Sequence, residues 1–195
     1  MAAFDGQAAD KWYERNKKKF LTSEDDPVMK MIRLHNLKSR NVLEIGCADG
    51  YRLQWIHDEF GSDVYGNELS ISVMEEGEKV NKDVCFNQGS ADCIVAFQQF
   101  DLIIYGFCMY LVDTTELFRV ANQCNLKLVD GGHIIIWDYE PMGKSHEFRP
   151  YLHADGVREH HMDFSKMFTW HPDYELKASM AAPEGPVHLI KKVVK

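Results

Sequence analysis

The sequence lacks the features that would assign it at once to several large classes of protein. It has no C-x-x-C pair, no H-E-x-x-H motif, no internal repeat and no low-complexity tract. Its longest apolar stretch, Leu102 to Val112, is about half as long as a helix needs to cross a membrane. These absences argue against a metal site, a repeat protein and a membrane protein. No secretory signal is recognisable, so we expect a soluble, cytoplasmic protein.

Basic residues are also scarce. The 195 residues include 30 acidic and 22 basic side chains, which gives a formal net charge of -8. Such a chain repels the phosphate backbone of nucleic acids, so nucleic acid is not an expected partner. The five cysteines are odd in number and lie mostly in apolar runs, which predicts buried free thiols in a reducing compartment.

Short apolar segments alternate with amphipathic ones between residues 41 and 138. The pattern predicts strands at 41–46, 63–66, 84–86, 100–105 and 133–137, with helices at 51–60, 70–80, 91–97 and 113–128. Near-continuous apolar strands that alternate with helices predict an α/β fold whose parallel sheet is covered on both faces.

The flanking segments follow other patterns. Residues 4–20 and 28–35 show helical spacing, and the segment from Thr22 to Pro27 between them can cap the second helix. Residues 139–166 are polar and show no clear period, whereas 174–180 and 187–194 are strand-like. The last two segments predict an antiparallel hairpin at one edge of the sheet.

The most informative segment is the loop after the first strand, Glu44-Ile45-Gly46-Cys47-Ala48-Asp49-Gly50. Small residues let a ligand approach the backbone, and the following helix offers free N–H groups, so we expect a nucleotide-like cofactor here. The dinucleotide fingerprint G-x-G-x-x-G is not satisfied, because Tyr51 stands where its third glycine should be. Glu44 would repel a pyrophosphate and suits a ligand with a positive amino or sulfonium group.

This loop resembles the first motif of the class I S-adenosylmethionine-dependent methyltransferases, acidic-x-G-x-G-x-G, with Ala48 at the second glycine. Segments 64–70, 89–92, 100–105 and 126–132 resemble further motifs of that family in the same order. The resemblance implies a Rossmann-like, seven-stranded, mostly parallel sheet with an antiparallel C-terminal hairpin and N-terminal helices. We take Ala48 to need only ordinary backbone angles.

The resemblance also implies an activity, namely methyl transfer from S-adenosylmethionine to a small-molecule acceptor, with S-adenosylhomocysteine as the product. Within it, Glu68 would hold the ribose diol, Asp92 the adenine amino group, and Tyr13 or Arg15 the methionine carboxylate. Cofactor contacts are implied for Glu44, Gly46, Cys47, Ala48, Gly50, Glu68, Leu69, Ser90, Ala91, Asp92, Tyr105, Gly106, Phe107, Tyr13 and Arg15.

One domain is expected, made of a helical cap (1–40), a cofactor-binding core (41–138), an acceptor-side insertion (139–166) and a closing hairpin (167–195). The insertion has few evident apolar anchors and is expected to form a mobile cover. It contains His160 and His161, of which one is a candidate base for a hydroxyl acceptor. The acceptor, such as a sugar or a natural-product intermediate, and the choice between O- and N-methylation stay open. Two alternatives remain, a non-catalytic relative that only binds and a dinucleotide-dependent oxidoreductase.

Overall fold

The computed structural model describes residues 4–141, 143 and 145–193. The helices in this part of the chain are α1 (Gly6–Asn16), α2 (Pro27–Leu34), α3 (Tyr51–Phe60), α4 (Ile71–Val80), α5 (Leu117–Lys127) and α6 (Lys166–Thr169). The strands are β1 (Asn41–Ile45), β2 (Asp63–Glu68), β3 (Val84–Gln88), β4 (Phe100–Gly106), β5 (Leu128–Trp137), β6 (His146–Pro150), β7 (Arg158–Met162), β8 (Tyr174–Met180) and β9 (Val187–Lys192). Short 3₁₀ helices cover Lys17–Lys19 and Met109–Leu111.

Seven strands form one sheet in the order β3-β2-β1-β4-β5-β9-β8. Strands β1 to β5 pair in parallel, while β9 runs antiparallel between β5 and β8. The predicted α/β class, the parallel sheet and the antiparallel edge hairpin are therefore confirmed. Val194, which was predicted to continue the last strand, lies outside the described residues.

Helices cover both faces of this sheet because side chains alternate along each strand. On β4, Leu102 and Ile104 belong to the apolar cluster that contains α2 and α3 residues, whereas Ile103 and Tyr105 belong to the cluster with α5 and α6. The near-continuous apolar sequence of β4 reflects this burial on both sides. None of the helices in the described ranges is long and apolar enough to cross a membrane.

The predicted helix at 91–97 does not form. Burial alternates along this segment, with Ile94 and Ala96 buried while Val95 and Phe97 are exposed. Residues 91 and 92 form a turn, and residues 93–96 have no regular secondary structure. The period of two does not fit a helix, which would bury residues three or four apart. Helix α5 also begins later than predicted, because the carboxylate of Asp113 accepts hydrogen bonds within its own turn before the helix starts.

The insertion differs most from expectation, because β6 and β7 form a two-stranded antiparallel sheet. The loop between them buries Tyr151 and Val157 against Tyr110 and Leu111. Phe164, just after β7, is 2% exposed. The expectation of few apolar anchors was therefore wrong. The anchors Tyr151, Val157 and Phe164 were missed because their spacing matches neither the period of a strand nor that of a helix.

All five cysteines are free thiols. Cys47 and Cys124 are buried as predicted, but Cys85 and Cys93 are exposed. The prediction of burial was wrong for Cys85 because β3 is an edge strand of the sheet, and one of its faces is open.

A buried charge cluster joins α2, β1 and α3. The guanidinium of Arg52 donates to the carboxylate of Asp26 at 3.0 Å and also to that of Glu44. Asp26 in turn caps α2 by accepting the N–H groups of Val28 and Met29. Burial raises the pKa of Glu44 to about 7, although Arg52 acts in the opposite direction. One cation thus holds two carboxylates inside the protein.

We predict that Arg52→Met lowers the free energy of unfolding by about 3–5 kcal/mol, because both carboxylates lose their buried counter-charge. Arg40→Met is the matched control, since the Arg40 side chain is 85% exposed and 3.9 Å from Asp63. That pair lies in solvent and should contribute little. Urea unfolding of both variants measures the difference, and equal losses would contradict the role of the cluster.

Candidate active site

A cavity of about 420 Å³ opens at the carboxyl ends of the central strands. Its volume lies in the range of about 300–1,000 Å³ typical of ligand sites. The strand order reverses here, since β1 lies between β2 and β4, and such switch points bind ligands in open α/β sheets. Predicted site residues that line the cavity are Gly46 and Ala48 after β1, Glu68 and Leu69 at β2, Ser90, Ala91 and Asp92 after β3, Phe107 after β4, and Tyr13 from α1.

The loop between β1 and α3 turns sharply three times. Gly46, Ala48 and Gly50 have φ angles of 66°, 51° and 79°. A Cβ atom on Gly46 would lie 2.7 Å from the Cβ of Cys108, so glycine is required there by space as well as by angle. The expectation that Ala48 takes ordinary backbone angles was wrong, because it occupies the left-handed region that glycine prefers.

Glu68 connects this loop to the end of β2. Its carboxylate accepts N–H groups from Ala48 at 3.0 Å, Leu69 at 2.8 Å and Ser70 at 3.1 Å. Burial raises the pKa of Glu68, and the three N–H groups oppose that rise. A carboxylate offers about four acceptor positions, so this one keeps a position for a ligand hydroxyl.

The segment after β3 forms the next wall. Ser90 donates its hydroxyl to the carboxylate of Asp92 at 2.6 Å, and Arg119 lies 3.7 Å from the same carboxylate. Asn67 was missed by the sequence analysis although it lines the cavity. Its amide nitrogen donates to the Ser90 carbonyl at 3.1 Å, and its Oδ1 atom is buried with no hydrogen-bond partner among the described residues. The sequence did offer a signal for Asn67, because it is a polar residue directly before Glu68, the acid that ends β2.

Four residues with implied cofactor contacts do not line this or the neighbouring cavity. Glu44 is held by Arg52, and Cys47 is 2% exposed beneath the loop. Gly50 lies against the ring of Phe86, at the start of α3. Tyr105 is fully buried on the α5 face of the sheet, where alternation along β4 places its side chain.

Helix α1 borders two cavities. Tyr13 lines the first, and its hydroxyl donates to the Asp49 carboxylate at 2.9 Å. Arg15 and Gly106 instead line a second cavity of about 620 Å³. Trp12 and Phe107 line both, so the two cavities are neighbours.

The two histidines of β7 face opposite ways, as neighbours in a strand must. His160 is 7% exposed and lines the first cavity, where burial and the nearby His146 lower its pKa. The rings of these two residues stack, with Nε2 of His146 at 3.3 Å from Nδ1 of His160. His161 stacks instead on Tyr139, with ring centroids 4.8 Å apart, and lines neither cavity. The structure therefore brings only His160 to the site.

No protein-family model and no curated protein sequence matches this chain. Solved structures do. The glycopeptide N-methyltransferase MtfA has a TM-score of 0.70 and 13% identity, over 87% of this chain and 96% of its own. The amino pentose methyltransferase CalS10 from Micromonospora echinaspora, involved in calicheamicin biosynthesis, has a TM-score of 0.70 and 15% identity, over 93% of this chain and 96% of its own.

The 1,6-didemethyltoxoflavin-N1-methyltransferase of Burkholderia thailandensis has a TM-score of 0.71 and 14% identity, over 100% of this chain and 92% of its own. The fold is that of the S-adenosylmethionine-dependent methyltransferases. Sequence identities of 13–15% to these solved structures establish the methyltransferase fold alone.

We predict that Ala48→Gly stabilises the protein by about 1 kcal/mol, because it relieves a left-handed alanine. The matched control is Ala9→Gly in α1, where the same change should destabilise by about 1 kcal/mol, since glycine weakens a helix. Thermal unfolding of the two variants gives the sign of each effect. A loss of stability in both would contradict the strain at Ala48.

Proposed function

We propose that the protein transfers a methyl group from S-adenosylmethionine to a small-molecule acceptor and releases S-adenosylhomocysteine. The observation that carries this proposal is the Glu68 carboxylate, held by the loop after β1 and open to the first cavity. Structures of the same fold support it, since MtfA was crystallised with sinefungin and with S-adenosylhomocysteine, and CalS10 with S-adenosylmethionine.

The residues of the first cavity fit the parts of that cofactor. Glu68 has an acceptor position for the ribose diol, and Asp92 has a carboxylate for the adenine amino group. The buried, unpartnered Oδ1 atom of Asn67 offers a further acceptor at the same wall. The small residues Gly46 and Ala48 leave room for the methionine portion, near the Tyr13 hydroxyl that Asp49 positions.

When bound, S-adenosylmethionine supplies a methyl group already activated on a sulfonium. The protein has therefore to align the acceptor and exclude water. Trp12 and Tyr13 cover the cavity from α1, while Val157 and His160 cover it from the insertion. His160 is the candidate base, because its lowered pKa keeps the imidazole neutral at pH 7 and able to take a proton from a hydroxyl.

The oxidoreductase alternative is disfavoured by Tyr51, whose ring stacks on Phe20 with centroids 4.3 Å apart. That ring occupies the position where a dinucleotide fold needs a third glycine for close packing of helix and strand.

We further propose that the helical cap, the cofactor-binding core, the acceptor-side insertion and the closing hairpin act as one domain. The cytoplasm is the proposed compartment, which the five free thiols favour.

We predict that S-adenosylhomocysteine binds the wild-type protein and that Glu68→Gln weakens this binding roughly 10- to 150-fold. The fold-change corresponds to the loss of about 1.5–3 kcal/mol for hydrogen bonds to a charged acceptor. Glu75→Gln, on the exposed side of α4, is the matched control and should bind as the wild type does. Isothermal titration calorimetry of the three proteins decides the question. Absence of binding to the wild type, or equal affinity of all three, would refute the proposed function.

We predict that His160→Ala slows methylation of a hydroxyl acceptor by roughly 10²–10⁴-fold, the usual effect of a lost general base. The wild-type rate should fall as the pH drops through the lowered pKa of His160, because the protonated ring cannot accept a proton. His161→Ala should have a much smaller effect, since that side chain lies on the other face of β7. Equal rates for the two variants, or a wild-type rate that does not change with pH, would remove His160 from the mechanism.

A further inference from the structure

The second cavity has a place in the fold that the proposed cofactor site does not use. It has a volume of about 620 Å³ and lies beyond the ends of β4 and β5, where Gly106 and Trp137 are the last residues of those strands. Phe107 and Trp12 separate it from the first cavity and line both. A molecule in the second cavity therefore lies beside the first one, against the two rings that the cavities share.

The walls of the second cavity are strongly aromatic. Phe107 packs edge-on against Trp137 at 4.4 Å and against Tyr139 at 5.0 Å, and Tyr139 packs edge-on against Tyr110 at 5.1 Å. Aromatic pairs prefer edge-to-face and offset-stacked contacts, so a further aromatic ring can pack favourably against walls of this kind. The eight aromatic residues that line the cavity are Trp12, Phe20, Tyr51, Phe107, Tyr110, Trp137, Tyr139 and Tyr151.

These rings are fixed in place rather than loosely packed. The buried carboxylate of Asp138 accepts the backbone N–H groups of Tyr110 at 3.2 Å and Tyr139 at 2.8 Å. The indole of Trp12 donates to the Tyr110 hydroxyl at 3.0 Å, and Arg15 donates to the Tyr151 hydroxyl at 2.6 Å. The cavity opens to solvent, and its volume together with its tethered aromatic walls matches the concave sites that bind small molecules.

The charges around the cavity select an uncharged ligand. The guanidinium of Arg52 already lies 5.3 Å from the ring of Tyr51 and 5.8 Å from that of Trp137, and Arg15 lies 5.9 Å from that of Tyr151. A cationic ligand would compete with these cations for the same ring faces.

An anionic ligand finds no excess of positive charge in the same lining. Arg52 is neutralised by its two buried carboxylates, while Arg15 and Lys19 are balanced by Glu159 and Glu184. An uncharged ring therefore matches the lining better than either ion does.

We propose that the second cavity binds the methyl acceptor and that the acceptor is an uncharged, planar aromatic molecule. The proposal rests on the methyl transfer proposed above. The ring system lies among the aromatic walls, and its reacting substituent reaches the first cavity between Trp12 and Phe107. His160 lines the first cavity and so meets that substituent rather than the ring.

Four probes built on the same fused two-ring framework test the proposal by calorimetry, each with and without S-adenosylhomocysteine. They are 2-naphthol, its saturated analogue decahydro-2-naphthol, 2-naphthoate and 2-naphthylmethylammonium. We expect 2-naphthol to bind tightest, roughly tenfold better than the saturated analogue, which corresponds to one or two aromatic contacts. Tighter binding of either ion, or equal affinity for 2-naphthol and decahydro-2-naphthol, would overturn the assignment.

Tyr139→Leu locates the binding, because Tyr139 lines the second cavity and not the first. It should weaken 2-naphthol binding roughly 2- to 10-fold and leave the affinity for S-adenosylhomocysteine unchanged. The matched control is Phe148→Leu, an exposed ring of β6 that lines neither cavity. If Tyr139→Leu does not fold, Tyr151→Leu removes another ring that lines the second cavity and not the first.

The titrations also separate the two proposals. If S-adenosylhomocysteine binds but the probes do not discriminate by shape or charge, the acceptor class is wrong and methyl transfer stands. If S-adenosylhomocysteine does not bind, methyl transfer is refuted, and the acceptor role of the second cavity is refuted with it.

Discussion

The geometry of the site depends on one buried cation. Arg52 lies between the carboxylates of Asp26 and Glu44 and so fixes the start of α2, strand β1 and helix α3 relative to one another. A Cβ atom on Gly106, the last residue of β4, would lie 2.5 Å from the Nη1 atom of Arg52. The end of β4 therefore needs a glycine to lie this close to the guanidinium. The guanidinium of Arg52 thus fixes the positions at which two loops begin, the loop after β1 and the loop after β4. Both loops line the first cavity, and the loop after β4 also lines the second.

The loop after β4 contains a strained backbone conformation at Phe107, which neighbouring contacts stabilise. Phe107 has a φ angle of 59°, which is unusual for so large a side chain. Its N–H donates to the Trp137 carbonyl at 2.8 Å, and Asp138 then accepts the N–H groups of Met109 and Tyr110. Burial raises the pKa of Asp138 to about 7, and the N–H groups oppose that rise. The end of β5 therefore holds the turn that places Phe107 between the cavities, a usual location for backbone strain.

Much of this structure was predictable because its signals are local. A glycine loop between an apolar strand and a helix, and an acid at the end of the next strand, lie within a few residues of each other in the sequence. The hairpin of β6 and β7 was not predictable in this way, since its anchors Tyr151 and Val157 are buried by residues distant in sequence, such as Tyr110 and Leu111 about 40 residues earlier. Glu44 shows the same limit. The sequence indicated that this acid would meet a positive charge, but only the fold shows that the charge is the side chain of Arg52.

The division between His160 and His161 shows where prediction from sequence ends and geometry begins. Adjacent residues have the same composition signal, but a strand sends them to opposite faces, and only the pairing of β7 with β6 determines which face meets the cavity. Of the two anchors of that hairpin, Val157 lines the first cavity and Tyr151 lines the second, where it receives a hydrogen bond from Arg15 of α1. Helix α1 also carries Trp12 and Tyr13, which cover the first cavity. Residues of α1 and of the insertion therefore meet at both cavities, so the contact between these two segments shapes the first cavity as well as the second.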